Sequence, residues 1–413
     1  MSFFIQSLFI AIPIFILFIG VEMITAKRMG ISINHPADMI SSLSSGVTNI
    51  AKDGLKFGVI LVSYPWLLEN LMIYKLEPIW AAVLMAFLVQ DFTGYWMHRL
   101  NHRVNIFWNR HIIHHSSEEF NLSCALRQSI SDTFHFSAIL MIPAAMLGVS
   151  HKIFIILGPI HLFMQFWYHT RLIGKMGWLE KIIVTPSHHR VHHAINPEYL
   201  DKNYGQILII WDKLFGSFQP ELTSVTPVYG ILRPANTWNP LIINFKHLWQ
   251  LLKDAFYAKR LWDKIRIWFM PTGWRPQDVV KRFPINTIEN PSQQIKYKTQ
   301  NSKLLIYWSG IQMSSSLVIM LMVFYMSQEV GAAITTLLAL FLWANVFSYT
   351  SLMDGNKVAV GADILKIILI VSVVFLLRDQ MIPISINVFV LHGVLSSFGT
   401  LYFLKNESKL STT

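Results

Sequence analysis

Apolar runs of about twenty residues, the length that crosses the hydrocarbon core of a bilayer as a helix, recur along this chain and fall into two groups. Five lie near residues 3–24, 48–72, 79–97, 130–148 and 152–170, and four more near 304–326, 330–352, 358–377 and 381–404. The pattern predicts about nine transmembrane helices. The first run has no basic stretch before it and no small-residue cleavage site after it, so it reads as a retained helix and not as a removed leader. Between the groups, residues 171–303 are rich in charge and proline and contain no span. Inside that stretch, residues 241–270 interleave Trp249, Phe256, Trp262 and Trp268 with Lys253, Lys259, Arg260, Lys264 and Arg266. Such a segment suits an interfacial helix against anionic lipid headgroups, and equally an amphipathic helix packed on the protein's own core.

Composition places the whole chain in the same class. Of 413 residues 53% are hydrophobic and only 14% charged, and the mean hydropathy is +0.43. The expected fold is an all-α integral membrane protein. Its expected units are an N-terminal helix and loop (1–45), a histidine-bearing catalytic domain (46–250), a basic interfacial segment (251–303) and a four-helix transmembrane region (304–413).

Charge adds an orientation. Residues 171–303 carry 19 Lys and Arg against 9 Asp and Glu, nearly the whole of the chain's net +11. The positive-inside rule makes this block cytoplasmic, and Lys27 and Arg28 after the first helix agree. Counting spans from there puts the loop after the third span on the same face. The basic residues alternate with apolar ones, which points to a membrane surface and away from nucleic acid. A single cysteine, Cys124, excludes an intrachain disulfide and a multi-cysteine metal cage. Near one end of the C-terminal group stand Asp354, Lys357, Asp363 and Lys366. Asp363 and Lys366 are three apart and can pair, and snorkelling to the interface is their expected placement. These four helices leave room for a homodimer.

Histidines carry the chemistry. His98 with His102, His111 with His114 and His115, and His189 with His192 and His193, the last preceded by His188, form three clusters. Residues three or four apart share one face of a helix, so their imidazoles can converge on one ion. Neutral imidazole suits iron, copper, nickel and zinc. Eight clustered histidines exceed the coordination of one ion, so the clusters imply a dimetal site on the cytoplasmic face. Against a metal transporter or sensor stands their position at helix ends and in loops, whereas a transporter places its ligands along a path near mid-bilayer.

The segments Asp91–His102, Arg110–His115 and Ser187–His193 resemble the fatty acid hydroxylase and sterol desaturase superfamily of membrane diiron oxygenases. Within it, Ser116–Ser129, Gln165–Thr170, Thr185–Ser187 and Asp201–Gly216 resemble the alkylglycerol monooxygenase family, which uses tetrahydrobiopterin to cleave ether lipids. The resemblance covers roughly residues 40–250. It implies two iron ions, O₂ as cosubstrate, tetrahydrobiopterin as reductant and a lipid of alkylglycerol type entering from the bilayer. The implied ligands are His98, His102, His111, His114, His115, His169, His189, His192 and His193. Elsewhere in the superfamily His169 has a second histidine four residues before it. Gln165 stands there in this chain, which leaves a metal position open, and His161 is the nearest substitute. Polar residues beside the clusters, namely Asp91, Glu118, Glu119, Asn121, Asp201, Asn203 and Tyr204, are candidates for orienting ligands or touching substrate. Asp91, inside an apolar helix about two turns before His98, is the most pointed of them; its alternative is a packing carboxylate paired to Arg99 or Arg127. Trp167, Tyr168, Trp211 and Phe215 are candidates for stacking on a pterin, or else are membrane-interface aromatics. Superfamily motifs alone also allow a hydroxylase or desaturase of a sterol, carotenoid or acyl lipid fed by another electron donor.

Overall fold

The computed structural model describes residues 3–327, 329–378 and 384–410. Its first helix, α1 (Phe3–Arg28), is largely apolar, with Glu22 as its one acidic residue, and Lys27 and Arg28 close its last turn. Next comes α2 (Pro36–Gly54), started by a proline at its first position, with Ser41, Ser42, Ser44, Ser45 and Thr48 all buried. Hydroxyls bury cheaply when they bond within the fold, as Ser44 does to the Tyr349 hydroxyl at 2.6 Å. This helix is therefore a packed core element. The expected span 48–72 breaks here: the chain passes through Lys56 at φ +58° into a short strand β1 (Val59–Ile60) and an eight-residue helix α3 (Tyr64–Leu71) with proline in its first turn.

A true span follows in α4 (Ile79–Arg103), whose N-terminal half is apolar and whose last turns carry Asp91, His98 and His102. Two single-turn helices, α5 (Asn105–Trp108) and α6 (Ile112–His115), lead away from it. The expected span 130–148 is instead a strand β2 (Phe134–His135), parallel to β1, then a 3₁₀ turn and the five-residue α7 (Ile142–Met146). The span expected over 152–170 is α8 (His151–Phe163), thirteen residues long and too short to cross alone.

The polar segment folds against these helix ends as α9 (Pro186–His192), α10 (Ile210–Leu214), α11 (Pro240–Tyr257), α12 (Leu261–Arg266) and α13 (Gln277–Arg282). Ile243, His247, Leu251 and Asp254 of α11 face inward, while Phe245, Trp249, Leu252 and Phe256 form an exposed apolar stripe. Four long helices complete the chain: α14 (Lys303–Met326), α15 (Gly331–Met353), α16 (Val358–Leu376) and α17 (Ile384–Leu410). With α1 and α4 these make six helices, among the described residues, long and apolar enough to cross a membrane, where the hydropathy pattern suggested nine. Residues 381–383 of the last expected span lie outside the described residues.

Asp363 and Lys366 do not snorkel. Both are buried, 5% and 0% exposed, and pair at 2.7 Å, with the Lys366 ammonium also donating to Asn345 Oδ1 and Ser396 Oγ at 2.9 and 2.7 Å. Two donors of the ammonium thus tie α16 to α15 and α17, while the third stays within α16 on Asp363. Lys366→Met strands the carboxylate and is expected to cost roughly 3–5 kcal/mol, read as a lowered unfolding midpoint in detergent. Adding Asp363→Leu to it should recover most of that loss, because a pair removed whole leaves no buried charge.

Candidate metal centre

Four pieces of chain deliver the histidines. The C-terminal turns of α4 carry His98 and His102; His111, His114 and His115 lie on and just before α6; His169 follows the turn after α8; His189, His192 and His193 lie on and just after α9. Their nitrogens gather into two groups, each with all ligand atoms within 4.8 Å of one another. One holds His98, His102, His111, His115 and His192, and the other His114, His169, His189 and His193. The sequence clusters do not map one to one onto these groups. Residues four apart stay together (98 and 102, 111 and 115, 189 and 193), whereas those three apart, expected to converge, separate (111 from 114, 189 from 192), as do adjacent ones (114 from 115, 192 from 193). Neighbours on a helix point about 100° apart while i and i+4 nearly eclipse, so each short helix feeds both groups. The groups touch, with the His115 and His193 rings 4.3 Å apart.

Backbone carbonyls fix the tautomers. Nδ1 of His98 donates to the Tyr204 carbonyl at 2.8 Å, that of His114 to Arg127 at 3.1 Å, that of His169 to Gln165 at 3.0 Å and that of His192 to Lys202 at 2.9 Å. A carbonyl only accepts, so in a neutral ring Nε2 is left with its lone pair. Burial keeps the rings neutral: desolvation pushes His114 down to about 4. It also holds His111, His115, His169, His189, His192 and His193 well below their ordinary value, helped by neighbouring imidazoles.

These lone pairs face one another. His114 Nε2 and His169 Nε2, both acceptors by this reasoning, are 3.3 Å apart. His193 Nε2 stands 3.1 Å from His114 Nε2 and 3.0 Å from His189 Nε2, which is 2.8 Å from His169 Nε2. In the other group His98 Nε2 is 2.9 Å from His111 Nε2, and His192 Nε2 is 3.2 Å from His115 Nε2. Two buried acceptors in contact repel unless a cation lies between them. Ligands bonded at about 2.1 Å at right angles to each other are separated by about 3.0 Å, so the spacing fits a shared ion in each group. The buried His102 Nε2 and His189 Nδ1 have no protein partner among the described residues.

The loop after α9 aims the rings. Asp201 and Asn203 adopt φ +59° and +55°, a region that Asp and Asn tolerate best among residues with a side chain. The loop so turned presents the Lys202 and Tyr204 carbonyls to His192 and His98. Asn203 pins it by donating to the His188 and Gln219 carbonyls at 3.1 and 2.7 Å. Asp212, fully buried, accepts from the backbone N–H groups of Tyr204 and Gly205 at 2.7 and 2.6 Å and from Ser217 Oγ at 2.7 Å. Asp212 falls in the stretch Asp201–Gly216 that carries the resemblance, but the sequence assigned it no role.

Other expected residues fall in varied places. Asp91, 0% exposed, pairs with neither Arg99 nor Arg127. It accepts from His161 Nε2 at 2.9 Å, Ile207 N at 3.0 Å, Leu208 N at 3.1 Å and Trp211 Nε1 at 2.9 Å. That bond places His161 outside both histidine groups, and Gln165 donates to the other nitrogen of His161 at 3.0 Å. The Tyr204 ring packs on His98, His102 and His192, with centroids 5.8, 5.3 and 6.1 Å away, and its buried hydroxyl has no protein partner among the described residues. Asp201 pairs with Arg103 at 2.8 Å and stands 3.9 Å from His102 Nδ1. Glu119 lies apart, paired with Arg171 and Lys296, and Glu118 accepts from Tyr297 N at 2.6 Å. Asn121 donates to the Ile33 carbonyl and Asn34 Oδ1 at 2.7 and 2.9 Å, so it joins the loop after α1 to the site's outer wall. Of the aromatics, Tyr168 stacks on His169 and lies 4.3 Å from His189. Trp167 packs on the cluster of Tyr168, Val184 and Ile209, while Trp211 and Phe215 pack on Phe92.

Sequence reasoning missed Glu22 and the role of Arg127. Glu22 of α1 accepts from Thr170 Oγ1 at 2.6 Å and Leu122 N at 2.8 Å, tying the first helix to the neighbour of His169. Arg127, 2% exposed, pairs with Asp38 at 2.7 Å while its carbonyl orients His114.

Long apolar helices whose ends and loops converge on buried imidazoles define a membrane protein with a histidine-built metal-binding centre. Residues 83–217 match the family model described as fatty acid hydroxylase. The chain is 37% identical to alkylglycerol monooxygenase of Homo sapiens over 282 residues, 67% of this chain and 61% of that protein. It is 40% identical to the enzyme of the same name from Xenopus tropicalis over 58% of this chain and 53% of that one, and 32% identical to that from Caenorhabditis elegans over 70% and 60%. The match thus spans between about half and three fifths of these relatives' length. No solved structure matches the chain.

Proposed function

We infer that the chain is a membrane-bound non-haem diiron monooxygenase that hydroxylates a lipid, with alkylglycerols as substrate, O₂ as cosubstrate and tetrahydrobiopterin as reductant. The opposed Nε2 atoms of His114 and His169 carry the metal part of this reading, because buried acceptors in contact call for a cation between them. The similarity to alkylglycerol monooxygenases supports the substrate and the reductant.

In this reading five histidines would hold one iron and four the other, and the pair would supply oxygen activation. Everything else falls to the chain. The carbonyls of Lys202, Tyr204, Arg127 and Gln165 keep the Nε2 lone pairs directed inward. Phe120, 0% exposed and stacked on His169 and Tyr229, helps keep water from the four-histidine group. Tyr168 is the aromatic best placed to meet a pterin, since it touches His169 and His189. A lipid hydroxylated on the carbon beside its ether oxygen becomes a hemiacetal, which falls apart to a fatty aldehyde and glycerol. The basic segment 171–303 and Lys27 with Arg28 support a cytoplasmic centre.

The test is anaerobic loading of the detergent-solubilised protein with Fe(II), then addition of O₂, tetrahydrobiopterin and an alkylglycerol. Fatty aldehyde formed only with iron and pterin together is the expected result. Its absence in a protein that binds two irons would move the reading to another lipid or another electron donor.

A further inference from the structure

A cavity of about 370 Å³ lies between α6, α11 and the segment 285–288. Ile112 lines it, while His114 and His115, two and three residues further on, belong to the two histidine groups. Its volume falls in the range of small-molecule sites. Residues 285–288 line one wall of it, held by Ile288 N–H to the Leu232 carbonyl at 2.9 Å.

The charge of its lining is one-sided. Arg233 and Lys246 both line it, and neither has a carboxylate within 4 Å among the described residues. Nearby Asp254 is committed to Arg275, at 2.6 Å. Lys246 Nζ spends two of its three donors on the carbonyls of Pro234 and Ala235, at 3.0 and 2.5 Å. Arg233 makes one bond, to the Gly273 carbonyl at 3.2 Å, which leaves most of its five donors unspent. His247, also in the lining, points Nε2 at the Asn105 carbonyl at 2.9 Å, so it contributes no negative charge. Burial, with the Arg275 charge added for Arg233, pulls both cations below their ordinary pKa, the direction expected where a counter-ion is missing.

Two half-buried cations with unspent donors, amide side chains at Asn236, Gln250 and Asn286, and apolar Ile112 and Ile285 form a setting for a tetrahedral anion carried on a small organic group. A guanidinium fork and an ammonium point charge are the usual pair for phosphate oxygens. We propose that this cavity is a binding site for a phosphate ester, separate from the histidine centre and backed onto it through α6. Phosphate here neutralises Arg233 and Lys246, and its occupancy bears on α6 and so on the placement of His114 and His115.

The experiment uses the full chain in detergent and equilibrium binding of three probes: a short-chain phosphatidic acid, the matching neutral diacylglycerol, and inorganic phosphate. The phosphatidic acid is expected to bind saturably and the diacylglycerol at least about tenfold more weakly, since one charge-assisted contact accounts for that factor. Arg233→Met and Lys246→Met should each weaken the phosphatidic acid by about tenfold or more, while Lys246→Arg keeps its affinity. Inorganic phosphate binding as tightly as the lipid assigns the site to soluble phosphate compounds; much weaker binding assigns it to lipid headgroups. Equal binding of the neutral lipid, or undiminished binding in both Met variants, overturns the proposal. Should a Met variant unfold, the contrast between Lys246→Gln and Lys246→Arg, each checked for an unchanged unliganded melting point, decides instead.

Discussion

His192→Ala and His193→Ala, one residue apart on the same turn, should each remove metal, but from different groups. His192 belongs to the five-histidine group and His193 to the four-histidine group, so each variant is expected to keep about one of two iron equivalents when loaded with Fe(II). Lipid oxidation should fall by more than about 100-fold in both, beyond the loss typical when a residue behind a ligand is changed. Metal analysis gives the stoichiometry, and the spectroscopic coupling between irons should vanish in each. The surviving iron should show a different ligand field in the two proteins. Identical spectra, or full activity in either variant, would remove the two-group assignment.

Asp91→Ala is expected to be the most destabilising single change outside the histidines. It strands the imidazole of His161, two backbone N–H groups and the indole of Trp211, all now bonded to one fully buried carboxylate. At roughly 1–3 kcal/mol for each buried donor left unpaired, the loss should exceed about 4 kcal/mol. The carboxylate ties α4 to the segment that runs from the Tyr204 carbonyl to α10, so iron content should fall with stability. Thermal unfolding in detergent, together with metal analysis, measures both. A variant within about 1 kcal/mol of the parent would show that the backbone holds itself without Asp91. Asp91→Asn separates the roles further: a stable, iron-loaded but inactive protein would mean that the negative charge serves the chemistry as well as the packing.

Much of the site was legible because its chemistry rests on residue type and short spacing. Histidines three and four apart announce a metal whatever surrounds them, and residues 98 with 102, 111 with 115 and 189 with 193 do share a group. The partition was hidden, because 114 and 115 are neighbours in sequence and only the 100° step of a helix sends them to different groups. Asp91 drew attention as a charge inside an apolar helix, yet its partners come from residues 70 or more positions away, and no local pattern encodes that. Asp212 escaped notice for a different reason: its partners Tyr204 and Gly205 are only eight and seven residues away, but the bonds depend on the irregular fold of one loop, which no helix or strand period encodes. The hydropathy pattern also overcounted. Residues 48–72, 130–148 and 152–170 are apolar enough to suggest spans, but an apolar run does not say whether it meets lipid or protein. Lys56 at positive φ, Pro65 and Pro143 at the starts of short helices, and the stop after Phe163 cut them into pieces.

The sequence by itself determined the membrane class, the histidine chemistry and the basic, aromatic segment, because each depends on composition or on spacing within a few turns of helix. Tertiary structure decided which imidazoles gather into one group, which carbonyls set their tautomers, that Asp363 and Lys366 face inward, and that Arg233 and Lys246 line one cavity. Those outcomes depend on distances between segments tens to hundreds of residues apart, and such distances exist only once the helices have packed.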